Sequence, residues 1–357
     1  MSEPQSSQML AEIREQPAAL AKTLIGGLPT ARRLKKALDV NRPRLIVLAA
    51  RGTSDNAAQF GRYLLEITTG IPVSLAAPSV FTLYGAKVDL RETLVIAISQ
   101  SGESTDVNIV LDRAKEQGAL TVGITNESSS QMASMAEHTF LVKAGKEKSV
   151  AATKTYTGQL LMLYLIAWAL GGTIDLELLR GMPEWAAAAL TLEGEIAERA
   201  IRYRFMDHAV VVGRGLNYSN AFEFALKLME TCYVVAERFS SADFQHGPIA
   251  MVEASFPVFL FAPGGAMWPG TSDMLDRLDQ LKAETLLISD ASHRGLPMGR
   301  PAIVIPAKLG RASAKAHDLY TPIPYIIPGQ LFAAKLAAEK GLNPDQPRTL
   351  TKVTRTI

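Results

Sequence analysis

The chain has 357 residues, 48% of them hydrophobic, and a formal net charge of +2. That length suggests two domains of ordinary size with sizeable cores. The near balance of acids and bases, with no basic run interleaved with aromatics, argues against a nucleic-acid binder, and a lone cysteine, Cys232, excludes internal disulfides and thiolate metal clusters and fits a reducing compartment.

The chain opens with a polar stretch of mixed charge that lacks the apolar core of a signal peptide, and residues 1–40 read as a helical segment. Next, apolar and β-branched runs predict strands over 45–49, 73–76, 93–98, 120–124 and 138–142. Helical patterns fall between them, for example over 56–68 and 107–117. Near-continuous apolar strands alternating with helices predict a parallel sheet covered on both faces. Ligands in such folds bind beyond the carboxyl ends of the strands, where the strand order reverses. Two loops that follow strand ends therefore matter: Arg51-Gly52, and Ser99-Gln100-Ser101-Gly102-Glu103-Ser104.

The second loop joins an apolar strand to a helix. Its backbone N–H groups and the positive end of the helix dipole suit a bound anion, and Ser99, Ser101 and Ser104 each carry a hydroxyl that can donate to a phosphate oxygen. It has no lysine and no Gly-Lys-Ser/Thr pattern, so it fits a small phospho-ester better than a nucleoside triphosphate. The plainer reading is a serine-rich turn with a helix cap. Further along, residues 144–154, rich in small side chains, lead into the apolar run 160–170, which is too short to span a bilayer and reads as a buried helix. The expected location is cytoplasmic.

The design then repeats. Gly52 recurs as Gly215, Leu111 as Leu275 and Ile124 as Ile288, offsets of 163, 164 and 164 residues. The second copy carries Ala262-Pro263-Gly264-Gly265-Ala266-Met267-Trp268 in place of the hydroxyl loop, so only the first half is expected to hold phosphate. What the second half adds is Glu223, Lys227 and Glu230, at i, i+4 and i+7 on one helix face. Such a stripe is either solvated or, given its apolar neighbours, largely buried and able to move protons. His246, in a Gly-Pro turn, is either functional or a structural hydrogen-bonder. The remaining histidines show no ligand spacing, and no metal is expected. By composition, the tail from Asp345 on reads as a frayed basic end.

Together these residues give the chain a resemblance to the double-SIS sugar isomerase family, and to the isomerase half of glutamine–fructose-6-phosphate amidotransferase. The matches include Gly52-Thr53-Ser54, the 99–104 loop, Val150-Ala151-Ala152-Thr153-Lys154, residues 223–230, His246-Gly247-Pro248 and Asp345-Gln346-Pro347-Arg348. The resemblance implies two SIS domains, each a flavodoxin-like parallel sheet covered by helices on both faces, at 41–190 and 191–340, with 341–357 as an active-site tail. It implies that Gly52, Thr53, Ser54, Ser99, Gln100, Ser101, Ser104, Val150, Ala152, Glu223 and Lys227 bind substrate. Glu230 would move a proton between C1 and C2. His246 would open the sugar ring from the partner subunit of a homodimer, and Lys352 would meet the open-chain sugar, with which a lysine can form a Schiff base. No cofactor, nucleic acid or membrane is implied.

Two departures shape the expected activity. No glutaminase domain with its cysteine nucleophile precedes the first strand, and Ala152 stands where the family carries a serine. The expectation is a glucosamine-6-phosphate deaminase. The alternatives are a deglycase of glycated amine phosphates, another sugar-phosphate isomerase, or a non-catalytic sugar-phosphate sensor.

Overall fold

A computed structural model of the chain describes residues 7–40, 42–308 and 317–352. The chain folds into two compact units, neither contiguous in sequence. One gathers Ala18–Glu147, Lys154–Arg180 and the residues from Leu350 on. The other gathers the residues up to Pro17, Lys148–Thr153 and Gly181–Thr349.

The first unit is built on five parallel strands: β1 Leu45–Ala49, β2 Val73–Leu75, β3 Thr93–Ile98, β4 Leu120–Thr125 and β5 His138–Leu141, in the order β2-β1-β3-β4-β5. All six residues of β3 are buried, as its unbroken apolar run requires for a central strand covered on both faces. On one side a core forms from Val47, Ala49, Val95 and Ala97 with Val107, Val110, Leu111 and Ala114 of the Thr105–Glu116 helix. The Thr53–Thr69 helix packs against the Lys154–Ala169 helix. In the latter every residue except Trp168 is buried, so its apolar side chains have partners all round.

The second unit repeats the arrangement with β6 His208–Gly213, β7 Val235–Ser240, β8 Pro257–Phe261, β9 Glu284–Asp290 and β10 Ala302–Ile305, in the order β10-β9-β8-β6-β7. Read from its other edge this is the order of the first sheet, strand for strand. β5 and β10 begin 164 residues apart, the spacing of the sequence repeat. The Tyr218–Cys232 helix lies along the Pro322–Glu339 helix. Phe224, Phe259 and Phe332 lock that pair to the sheet edge-to-face, with ring centroids 5.0–5.8 Å apart.

Two helices precede β1, Gln8–Arg14 and Gln16–Val40. The shorter belongs to the second unit. Both carboxylate oxygens of Asp345 accept from its first amides, Gln8 N–H and Met9 N–H, at 2.7 Å each, so the helix is capped from 337 residues away. Arg14 at the helix's other end pairs with Glu193 at 2.7 Å. Among the described residues no helix is long and apolar enough to cross a membrane.

The predicted strands coincide with β1 to β5 within a residue or two. The predicted helices begin early: 56–68 is observed as Thr53–Thr69, and 107–117 as Thr105–Glu116. In the first case Gly52, at φ 56°, turns the chain out of β1 straight into the helix.

Candidate active site

In the 2-1-3-4-5 order of the first unit, β1 and β3 flank the point where the strand order reverses, and folds of this kind bind ligands beyond the strand ends at that point. Arg51, Gly52 and Thr53 follow β1, and residues 99–104 follow β3. Arg51 Nε donates to Asp106 Oδ2 at 2.6 Å, and that carboxylate, in the first turn of the Thr105–Glu116 helix, is buried. This ion pair draws the two loops together.

The hydroxyl loop is held from within. Ser99 Oγ accepts from Gly102 N–H at 3.1 Å and shares a hydrogen bond with Ser104 Oγ at 3.1 Å. The carbonyl of Gln100 accepts from Asn126 N–H and Thr125 Oγ1, and that of Gly102 accepts from Met132 N–H and Asn108 Nδ2. Gly102 sits at φ 67°, and a Cβ there would collide with the Ser130 side chain. With the carbonyls turned to these partners, the loop is pre-organised at a helix N-terminus. Ser99 is buried and serves chiefly to shape the loop. Ser101 and Ser104 are partly exposed, and the Ser104 side chain makes no capping bond to its own helix. Thr53 is partly exposed in the first helical turn after Gly52, and Ser54 Oγ beside it is buried and accepts from Gln159 Nε2 at 2.9 Å.

The matching loops of the second unit are built otherwise. Ala262, Pro263 and Gly264 are buried, and the Ala262 carbonyl accepts from Ser289 Oγ at 2.8 Å. Met267 lies over Gly215, its sulfur 3.3 Å from where a Cβ would stand, and Trp268 meets His293 edge-on at 4.3 Å. Apolar side chains crowd the place where the first unit presents hydroxyls.

The second unit contributes instead the Tyr218–Cys232 helix. Glu223 and Lys227 are wholly buried, and the Glu230 side chain is 21% exposed. Lys227 Nζ lies 2.6 Å from Glu230 Oε2 and 3.4 Å from Glu223 Oε1, so one ammonium bridges two carboxylates. Burial pushes the Lys227 ammonium down, but the two carboxylates outweigh it and hold the group above the ordinary lysine range. Of the two sequence readings, the buried one holds for Glu223 and Lys227. Glu230, at the end nearest solvent, is the one of the three whose side chain keeps exposed surface.

His246 caps the short Ser241–Gln245 helix and is exposed; its imidazole makes no hydrogen bond among the described residues. Val150 and Ala152 are partly exposed, alternating with buried Ser149, Ala151 and Thr153. Cys232 is buried with Sγ 3.2 Å from the Ala333 carbonyl, and burial pushes its thiol up to about 11. Lys352 is 25% exposed and pairs with Glu147 at 3.0 Å; residues 353–357 lie outside the described residues. The structure thus groups Gly52, Thr53, Ser54, Ser99, Gln100, Ser101, Ser104 and Lys352 in the first unit. It groups Val150, Ala152, Glu223, Lys227, Glu230 and His246 in the second. Sequence reasoning passed over Asp106 and Glu147. Glu147 stands between Lys146 and Lys148 and Asp106 follows the polar run Glu103-Ser104-Thr105, so neither stands out from its neighbours as a buried acid.

A sequence model of the SIS domain matches residues 40–169 and 204–296. The glutamine–fructose-6-phosphate aminotransferase (isomerizing) of Pyrococcus horikoshii is 35% identical over 351 residues, covering 96% of this chain and 57% of that enzyme. The chain therefore spans a little over half the length of the curated relatives it matches. Among solved structures, the C-terminal domain of glucosamine-fructose-6-phosphate aminotransferase from Francisella tularensis aligns with a TM-score of 0.84 at 29% identity, covering 95% of this chain and 98% of that one. Glucosamine-6-phosphate deaminase from Thermotoga maritima aligns with a TM-score of 0.75 at 22% identity, covering 98% and 100%, a likeness of fold. With two matched segments, two sheets of one strand order and one repeat spacing, the chain belongs to the SIS domain family and carries that domain twice.

Proposed function

We propose that the chain is an amino-sugar-phosphate deaminase–isomerase, converting glucosamine 6-phosphate and water to fructose 6-phosphate and ammonia. The observation that carries the reading is the Glu223–Lys227–Glu230 arrangement, a partly exposed carboxylate held by a buried cation. The pre-organised hydroxyl loop after β3 supports it, because an anion of phosphate size finds backbone N–H groups and two partly exposed hydroxyls there. So does the likeness to the C-terminal domain of an aminotransferase named for the same two sugars.

In this reading, ring opening, assisted by His246, gives the C1 aldehyde. Glu230 takes the proton from C2 and returns it to C1, while an amine proton passes to O1, leaving a hydroxyl at C1 and an imine at C2. Lys227 keeps the Glu230 carboxylate in place and compensates its charge while the proton is away. Water then adds to the imine carbon, the C–N bond breaks, and ammonia leaves with fructose 6-phosphate. Lys352 meets the carbonyl of the open-chain sugar.

The test is ammonia release across a panel: glucosamine 6-phosphate, its C4 epimer, and analogues whose C2 amine bears a larger group. Release from glucosamine 6-phosphate, lost in Glu230→Gln, is expected. Binding of the panel without ammonia release from any member would overturn the reading, and release confined to the bulky amines would make the chain a deglycase.

A further inference from the structure

Glu147 carries a set of contacts that the roles above do not use. Its side chain is completely buried, where a lone carboxylate is costly. The donors that meet it include Thr155 N–H at 3.2 Å and Thr155 Oγ1–H at 2.6 Å, both from the first turn of the Lys154–Ala169 helix, and Lys352 Nζ at 3.0 Å. The two Thr155 bonds come from a buried helix and fix the carboxylate. Lys352 comes from 205 residues away, on a segment whose neighbours Arg348, Thr349 and Leu350 are exposed. The acid is therefore the buried partner, and the lysine stands on an exposed segment.

We propose that Glu147 is a positioning residue: its buried carboxylate docks the tail by the Lys352 ammonium and so sets where Lys352 waits before substrate arrives. This rests on the reading of Lys352 as the group that meets the sugar carbonyl. When that carbonyl binds, Lys352 exchanges its carboxylate partner for the substrate, and Glu147 keeps its two bonds from Thr155.

The experiment compares Glu147→Gln, Glu147→Asp, Thr155→Val and Lys352→Ala. The first readout is amide hydrogen exchange of residues 348–352 without substrate, and the second is kcat and KM for ammonia release. Glu147→Gln is expected to raise exchange in the tail. It should also lower kcat about 100-fold, the scale of a misplaced reacting group, with KM unchanged. Combined with Lys352→Ala it should cost nothing beyond Lys352→Ala alone, because both act through one contact. Glu147→Asp should recover part of the loss. Thr155→Val, of nearly the same shape, should give a smaller loss of the same kind, which separates positioning from misfolding. Unchanged tail exchange in Glu147→Gln, or losses that multiply with Lys352→Ala, would overturn the proposal. If no amino-sugar phosphate is turned over, the deaminase reading falls, while the exchange measurement still decides whether Glu147 holds the tail.

Discussion

Gly102 separates the shape of the hydroxyl loop from its chemistry. Its φ of 67° and the Ser130 side chain beside it leave no place for a Cβ. Gly102→Ala should therefore cost about 2–4 kcal/mol of stability, the sum of a left-handed backbone and overpacking, as read by calorimetry. Ser101→Ala should leave the melting temperature alone and weaken binding of the sugar phosphate by about 1–3 kcal/mol, the worth of a hydrogen bond to a charged group. A Ser101→Ala protein that binds as wild type would take that hydroxyl out of the site. Lys227→Met tests the other half of the machinery. It strands buried Glu223 without its cation and should cost about 3–5 kcal/mol; adding Glu223→Gln should recover much of that loss. The three charged residues were legible in sequence because i, i+4, i+7 spacing defines a face. Their joint geometry was not, because spacing fixes which side of a helix a residue occupies and leaves open which way a long side chain swings. Lys227 reaches toward both acids, and only the packing of Phe224 against Phe259 and Phe332 decides that the face is buried.

At the scale of elements, strands were read with more success than helix starts. An unbroken apolar run such as 93–98 marks its own limits. A helix that begins at a glycine turn or a serine cap starts in polar residues that carry no periodicity. The Arg51–Asp106 tie was invisible for a related reason, since 55 residues separate its partners. The Gln8–Arg14 helix shows how a short element is held by charge. Arg14's hydrogen bonds pull the Glu193 carboxyl down to about 2, against burial that would raise it, and Lys335 at 2.7 Å adds to the pull. A carboxyl whose folded value is lowered contributes stability that is present above its unfolded value, near 4.5, and fades as the pH falls toward 2. The gap in melting temperature between wild type and Glu193→Gln should accordingly narrow as pH drops from about 5 to about 2. A constant gap would mean that the pair contributes little in solution.

For the molecule as a whole, the tandem repeat was legible because both halves kept their strands in register. It is also what made the divergence of the second hydroxyl loop readable. The non-contiguous units were not legible, since nothing in residues 1–17 announces a place with the second half. The resemblance assigns His246 to a partner subunit's site, and the solvent exposure of that imidazole is consistent with use outside its own chain. Mixing inactive Glu230→Gln and His246→Ala proteins, with subunit exchange verified by mass, should restore part of the activity. No recovery after proven exchange would put both residues to work within one chain.

The bond from Asp345 to the amides of Gln8 and Met9 has a consequence for how the protein is made. The helix it caps and the carboxylate that caps it are synthesised 337 residues apart. At about 5–20 residues per second, the helix waits roughly 20–70 s for the carboxylate that completes it. For most of that interval Met9, Leu10 and Ile13, all buried in the finished fold, lack the Pro322–Glu339 helix against which their own helix packs. Until that helix and Asp345 are made, the nascent Gln8–Arg14 segment presents apolar surface that a chaperone would cover.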